Sequence, residues 1–122
     1  MKSTTTIKGK RGEFRAKKFL EEVCSFKIIK QNYRYKRGEV DLIVQDGATL
    51  VFVEVKTRST DVFGDPSKSV VKGKQKRTIE AANAYLEKFE IDLEARFDII
   101  SIVTFESKTN IDHMEDAFFP LA

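Results

Sequence analysis

Asp41, Glu54 and Lys56 are the residues of this 122-residue chain whose types and spacing best suit chemistry on a phosphodiester. They lie in two neighbouring segments, Gly38-Glu39-Val40-Asp41-Leu42-Ile43 and Val51-Phe52-Val53-Glu54-Val55-Lys56. Antiparallel pairing of the two would gather all three on one face of a β-hairpin. Side chains alternate along a strand, so Glu54 and Lys56 point the same way, roughly 7 Å apart. Neighbouring carboxylates repel each other and are costly in a low-dielectric sheet unless a cation balances them. Mg²⁺ (or Mn²⁺) meets that need, since a hard cation takes carboxylates together with water and phosphate oxygens, and the Val55 carbonyl offers a further ligand. An ion held there would lower the pKa of a bound water, while Lys56 orients that water or stabilises the transition state.

The pairing depends on the turn. A two-residue turn centred on Gly47-Ala48 sets Asp41 opposite Glu54, and one centred on Asp46-Gly47 sets it opposite Phe52; both keep the two acids on one face. A three-residue loop sends Glu54 to the far side, and a bulge breaks the arrangement. The plain alternative is that Glu54 and Lys56 form an ordinary ion pair on an exposed sheet face. A second Glu-x-Lys, Glu106-Ser107-Lys108, lacks both the acidic partner before it and the apolar run.

The elements that must carry these residues follow from periodicity. Ala16, Leu20, Val23 and Cys24, with Phe19 alongside, predict an amphipathic helix over 11–24. β-Branched and aromatic content predicts strands over 26–36, 39–45 and 49–57. Residues 58–66, with Gly64 and Pro66, read as a loop, and 70–89 as the longest helix, with Ile79, Ala82, Leu86 and Phe89 on its apolar face. Residues 96–105 are apolar on both faces, as in a strand covered on each side, and 111–118 is a candidate short strand. The order αβββαβ predicts an α/β fold with a mixed central sheet flanked by helices, in one domain spanning 1–122. His113 reads as a surface residue, and Phe118 and Phe119 as anchors of the tail. Glu39 shares the Asp41 face at the strand start, with turn, ion-pair and metal roles all open.

Charge is distributed unevenly. Residues 1–37 hold 12 basic and 3 acidic side chains, 38–66 hold 2 and 6, and 67–77 hold five basic side chains (Lys68, Lys72, Lys74, Lys76 and Arg77) and no acid. Two basic blocks flanking an acidic cluster suit a polyanion such as nucleic acid, with binding that weakens as salt rises. Lys72, Lys74, Lys76 and Arg77 surround the start of the long helix, where free N–H groups also favour phosphate. Cys24, the single cysteine, cannot form an internal disulfide and reads as a small core residue of the first helix. With no apolar run in residues 1–12 and none long enough to span a bilayer, a cytoplasmic location without membrane contact is expected.

Taken together, several short motifs resemble the small bacterial YraN family, grouped with the Holliday-junction-resolvase-like branch of the PD-(D/E)xK, restriction-endonuclease-like nuclease superfamily. They are Gly12-Glu13 with Ala16 and Leu20; Asn32 and Arg34; Gly38 to Ile43; Phe52 to Arg58; Phe63-Gly64 with Pro66; Lys74-Gln75 with Arg77; and Arg96-Phe97-Asp98. Val40 stands where the motif's name has proline. The resemblance implies a restriction-endonuclease-like core in which Asp41 and Glu54 bind the metal, Lys56 assists catalysis and Glu13 joins the cluster from the first helix. The candidate nucleic-acid-binding residues are Arg34, Arg58, Lys72, Lys74, Gln75 and Arg77, and the resemblance implies that Gln75 faces the site from the second helix. The expected activity is Mg²⁺- or Mn²⁺-dependent endonucleolytic hydrolysis of DNA, branched or structured forms included; the oligomeric state is open, with a homodimer one option because resolvase-like relatives work as dimers. The alternatives are a catalytically silent nucleic-acid-binding module on the same fold and an interaction domain with no affinity for nucleic acid.

Overall fold

The computed structural model describes residues 4–58 and 72–118, with side chains from residue 10 onward in the first segment and from residue 73 in the second. The elements are α1 (Thr4–Glu22), β1 (Lys27–Tyr35), β2 (Gly38–Asp46), β3 (Thr49–Arg58), α2 (Lys72–Lys88), β4 (Glu94–Phe105) and β5 (Lys108–Met114). The predicted order holds, and the candidate strand near the end is β5, displaced a few residues toward the N-terminus. One sheet carries all five strands in sequence order. Its pairs are antiparallel except β3 with β4, which are parallel. Parallel neighbours require a crossover, and α2 lies within it. The protein is thus a mixed α/β fold: a five-stranded mixed sheet with two helices.

Each face of the sheet has its own core. On the α2 face, Ile43, Leu50, Phe52, Phe97 and Ile99 pack against Ala81, Ala82 and Tyr85. On the α1 face, Leu42, Val44, Val51, Val53, Ile100 and Ile102 pack against Ala16 and Leu20. β4 therefore feeds both cores by alternation, as its doubly apolar sequence predicts. The most buried side chains of α2 are Thr78, Ala81, Ala82 and Tyr85, whereas Phe89 is 52% exposed. Ala82 faces the sheet as the periodic pattern expects, but Ala81 and not Phe89 joins it there, and two small side chains let the helix lie close to the sheet. Val23 is 69% exposed, because it falls beyond the end of α1, where Ser25 takes a left-handed φ of 59° and turns the chain into β1.

Two glycines set how closely the helices approach the end of the sheet that holds Asp41 and Glu54. A Cβ on Gly12 of α1 would overlap Thr57 Oγ1 of β3 and stand 3.3 Å from Thr57 Cβ. A Cβ on Gly38, the first residue of β2, would overlap the Arg77 carbonyl of α2 and stand 2.9 Å from its carbon. The first obstacle is a side chain and the second is backbone. Gly64, Pro66 and Phe119 lie outside the described residues, as does the predicted loop after Arg58. Gly12→Ala is expected to destabilise the protein by about 1–3 kcal/mol, the usual cost of overpacking. Thr57→Ala in the same chain should recover most of that loss. Gly38→Ala should cost at least as much with no side-chain substitution able to relieve it; urea melts of wild type and the three variants measure both.

Candidate active site

The hairpin closes with Asp46 opposite Thr49, so the central pair is Gly47-Ala48, and Gly47 adopts the left-handed φ of 59° such a turn needs. The register runs from that turn to Leu42 opposite Val53. One step further would set Asp41 opposite Glu54, and there the ladder stops. Asp41 Oδ2 instead accepts a hydrogen bond from the Val55 N–H at 2.8 Å, so a side chain does what a backbone carbonyl would do. Alternation also breaks here. Val40 packs in the α2-side core with Ile43, while Leu42 lies in the α1-side core. On β1, the position between the pairs Gln31–Leu42 and Tyr33–Val40 is Asn32, which bends with φ 52°. The strand distortion places the Asp41 carboxylate at a gap between strands with both helices nearby.

Four acids meet at that gap. Glu13 of α1, Glu39 of β2 and Asp41 each present an oxygen within 4.8 Å of the other two. Glu13 Oε1 is buried and has no hydrogen-bond partner among the described residues. Glu39 receives the Arg34 guanidinium at 2.9 Å. Glu54, 4% exposed, is bonded directly to the Lys74 ammonium, with Lys56 Nζ at 4.0 Å. Burial, and then the charge of Glu54, push Asp41 up to about 8 despite the Val55 N–H. Burial likewise raises Glu13, helped by Glu39 and Glu54. Lys56 is lowered, by burial and by the neighbouring Lys74 charge. Burial disfavours the Lys74 ammonium, but its bond to Glu54 outweighs this and raises its pKa. Three converging carboxylates, one of which also has a buried oxygen without a partner among the described residues, and an Asp41 carboxyl whose pKa burial and neighbouring acids raise, are a donor set fitted to a hard divalent ion.

Beside the acids opens a cleft of about 280 Å³ lined by Arg37, Gly38, Glu39, Asp41, Glu54, Lys74, Arg77 and Thr78. Of the basic residues singled out in the sequence, Lys74 and Arg77 line this cleft. Arg34 is engaged with Glu39, and Arg58 is half-buried at the end of β3. Gln75 is half-buried on the first turn of α2, where it has interactions of its own. The Lys72 backbone begins α2, and its side chain lies outside the described residues. Arg37 went unnoticed in the sequence; its only local signal is its place beside Gly38 at the start of β2. Glu39, left open there, joins the carboxylate group. Tyr33 fills the core against Tyr85 at 5.0 Å, while Tyr35 is at the surface.

His113 is not a surface residue. Its side chain is 10% exposed, and Nε2 lies 2.7 Å from Oδ2 of Asp98, which is completely buried. Asp98 also accepts from Arg96 Nε at 2.9 Å, Arg96 Nη2 at 3.0 Å and the Asp116 N–H at 3.2 Å. Burial alone would raise the Asp98 pKa, but the His113 and Arg96 bonds overcome it and hold Asp98 below the ordinary carboxylate range. β5 pairs with β4 so that His113 stands next to Ile100, which turns a residue of the acidic tail inward. Cys24 Sγ lies 3.9 Å from His113 Nδ1, yet burial raises the thiol pKa, as do Glu115, Asp46 and Asp98, so this cysteine is not an activated nucleophile.

Among the described residues no helix is long and apolar enough to cross a membrane. Residues 12–102, which include every residue of the site, match the family described as Uncharacterised protein family UPF0102. A UPF0102 protein of Christiangramia forsetii is 44% identical over 111 residues, covering 91% of this chain and 92% of its own. One from Bacteroides thetaiotaomicron is 42% identical over 112 residues, 92% of each chain. One from Geobacter sulfurreducens is 44% identical over 114 residues, 92% of this chain and 88% of its own. The chain belongs to the uncharacterised protein family UPF0102, the YraN family that its motifs resemble.

Proposed function

We propose that this protein is a metal-dependent endonuclease that hydrolyses DNA phosphodiester bonds, with branched or structured DNA as the favoured substrate. The observation that carries the reading is the convergence of Glu13, Glu39 and Asp41, with a buried Glu13 oxygen that has no partner among the described residues, next to the Glu54–Lys56 pair. Glu13, Glu39 and Asp41 would hold Mg²⁺ or Mn²⁺, with Glu54 the fourth acid and the Val55 carbonyl on the same strand end. When bound, the ion supplies an activated water and offsets charge on the scissile phosphate. The Val55 N–H fixes the rotation of the Asp41 carboxylate, so one ligand is oriented before any ion arrives. Lys56, with its pKa lowered, gives up a proton more readily than an exposed lysine and is suited to hold the attacking water. Arg37 and Arg77 on the cleft wall bind phosphates on either side of the cut. Two such sites in a homodimer would cut both strands of a symmetric junction.

Purified protein is expected to cleave four-way DNA, and linear or single-stranded DNA more slowly, in Mg²⁺ or Mn²⁺ and not in a chelator. Asp41→Asn and Lys56→Ala should each lower the rate at least about 100-fold, the scale of losing one charge-stabilising group, with the fold retained by circular dichroism. Full activity in both variants would refute the assignment. Salt-sensitive binding with no cleavage of any form would leave the silent binding module.

Stability should report the same site. Asp41 in the folded chain keeps its proton up to about 8 whereas an ordinary aspartate releases it near 3.8, so the folded state binds more protons between those values. Stability from this group is therefore fully present below the ordinary value and is lost as pH rises toward the folded one. In chelator the Tm is expected to fall from pH 5 to pH 8, and Asp41→Asn should flatten that slope. Mn²⁺ should raise the Tm at pH 8 by at least about 4 °C, the effect of ~1 kcal/mol in a domain of this size, and by less at pH 5. Calorimetric scans with and without the ion would read all three.

A further inference from the structure

Glu54 stands apart from the other three acids. Its Oε1 is in direct contact with the Lys74 ammonium and 4.0 Å from Lys56 Nζ. Glu13, Glu39 and Asp41 form the convergent group, and Glu54 is outside it. Yet Glu54 comes from the strand that the Asp41 carboxylate grips, one residue before the gripped N–H. An acid in that position, 4% exposed, is built to face a cation, and the cation it faces is a side chain.

We propose that Lys74 is a placeholder: its ammonium neutralises Glu54 in the metal-free protein and surrenders that carboxylate to the divalent ion when one binds. The inference rests on the metal-site reading above and adds to it a competition internal to the chain. A buried carboxylate stripped of its partner is strongly destabilising, so Glu54 needs a counter-charge at all times. A lone pair that accepts from an ammonium is not available to a metal, and two cations drawn to one carboxylate repel each other, so the ammonium and the ion compete for Glu54. Of the two lysines, Lys74 is the one free to go. It is 36% exposed on the first turn of α2 and belongs to neither core, whereas Lys56 is 26% exposed and rooted in β3 between residues of the sheet. A lysine stem is flexible and its head is a compact point charge, so the ammonium moves without the helix moving. Once displaced it remains on the wall of the cleft with Arg37 and Arg77, where a polyanion would be met.

Titration of Mn²⁺ by calorimetry into full-length wild type, Lys74→Gln, Glu54→Gln and the double variant tests this. Removing the competitor should tighten Mn²⁺ binding about tenfold in Lys74→Gln, a change of the size that groups bonded to metal ligands produce. In the Glu54→Gln background the same substitution should bring no gain. Lys74→Arg, which keeps the charge on Glu54, should bind within about twofold of wild type. An equal gain in both backgrounds would mean that Lys74 acts only through its field over the whole cleft, and would overturn the proposal. Unchanged or weaker binding in Lys74→Gln, or a tenfold gain in Lys74→Arg, would overturn it while leaving the metal site intact. Absence of Mn²⁺ binding in both wild type and Lys74→Gln would overturn the placeholder and the metal reading together. Thermal melts of each variant confirm that the comparison is between folded proteins.

Discussion

The bond from the Val55 N–H to the Asp41 carboxylate is the interaction on which the site depends. Strand pairing leaves no donor idle when a ladder is complete, so a side chain can enter a sheet's hydrogen bonding only where two strands part. β2 and β3 part after Leu42 and Val53, and Asp41 fills the opening. The bond ties an acid of one strand to the backbone of the next, beside Glu54. The same distortion lets Glu39 and Glu13 approach Asp41, though they come from the strand start and from α1. The site is thus a defect in the sheet, held in place by a carboxylate.

Two aspartates, Asp98 buried and Asp41 half-buried, show how environment divides a satisfied acid from an unsatisfied one. Asp98 is fully buried and accepts from Arg96, His113 and the Asp116 backbone, so its charge is stabilised and its pKa falls. It ties β5 and the following turn to β4 and asks for nothing more. Asp41 accepts one backbone bond among other acids, and its pKa rises to about 8. Unbalanced charge of this kind is costly to the metal-free fold and is relieved by a ligand that brings positive charge. Lys74 and Lys56 offset part of it at Glu54, and the Glu13–Glu39–Asp41 group is left for something else.

The framework around the gap is rigid where it must be. Gly12 lets α1 come down on Thr57 of β3, which brings Glu13, the next residue, to the acids. Gly38 lets the start of β2 touch the Arg77 backbone, which brings α2 and Lys74 to Glu54. Neither glycine serves a turn; each is the absence of a side chain at a contact between elements. The two apolar cores, one on each sheet face, then fix the helices that carry Glu13, midway along α1, and Lys74, on the first turn of α2.

Periodicity in the chain was enough to determine the order of elements, the mixed sheet and the hairpin with Asp41 near Glu54, because those follow from local pattern and a short turn. The short motifs also drew attention to Glu13, Lys74 and Arg77. Tertiary structure decided the rest, for reasons no local pattern holds. Whether Glu54 meets a metal or a lysine depends on where α2 lands, and that depends on contacts such as Gly38 with Arg77 across the fold. The same is true of Glu39 and Arg37, whose places are set by the parting of two strands. His113 read as a tail residue because its partner, Asp98, is brought to it only by the pairing of β4 with β5. Sequence carries the alternation of a strand, but the point at which alternation fails is settled by packing on both faces at once, and there the candidate site sits.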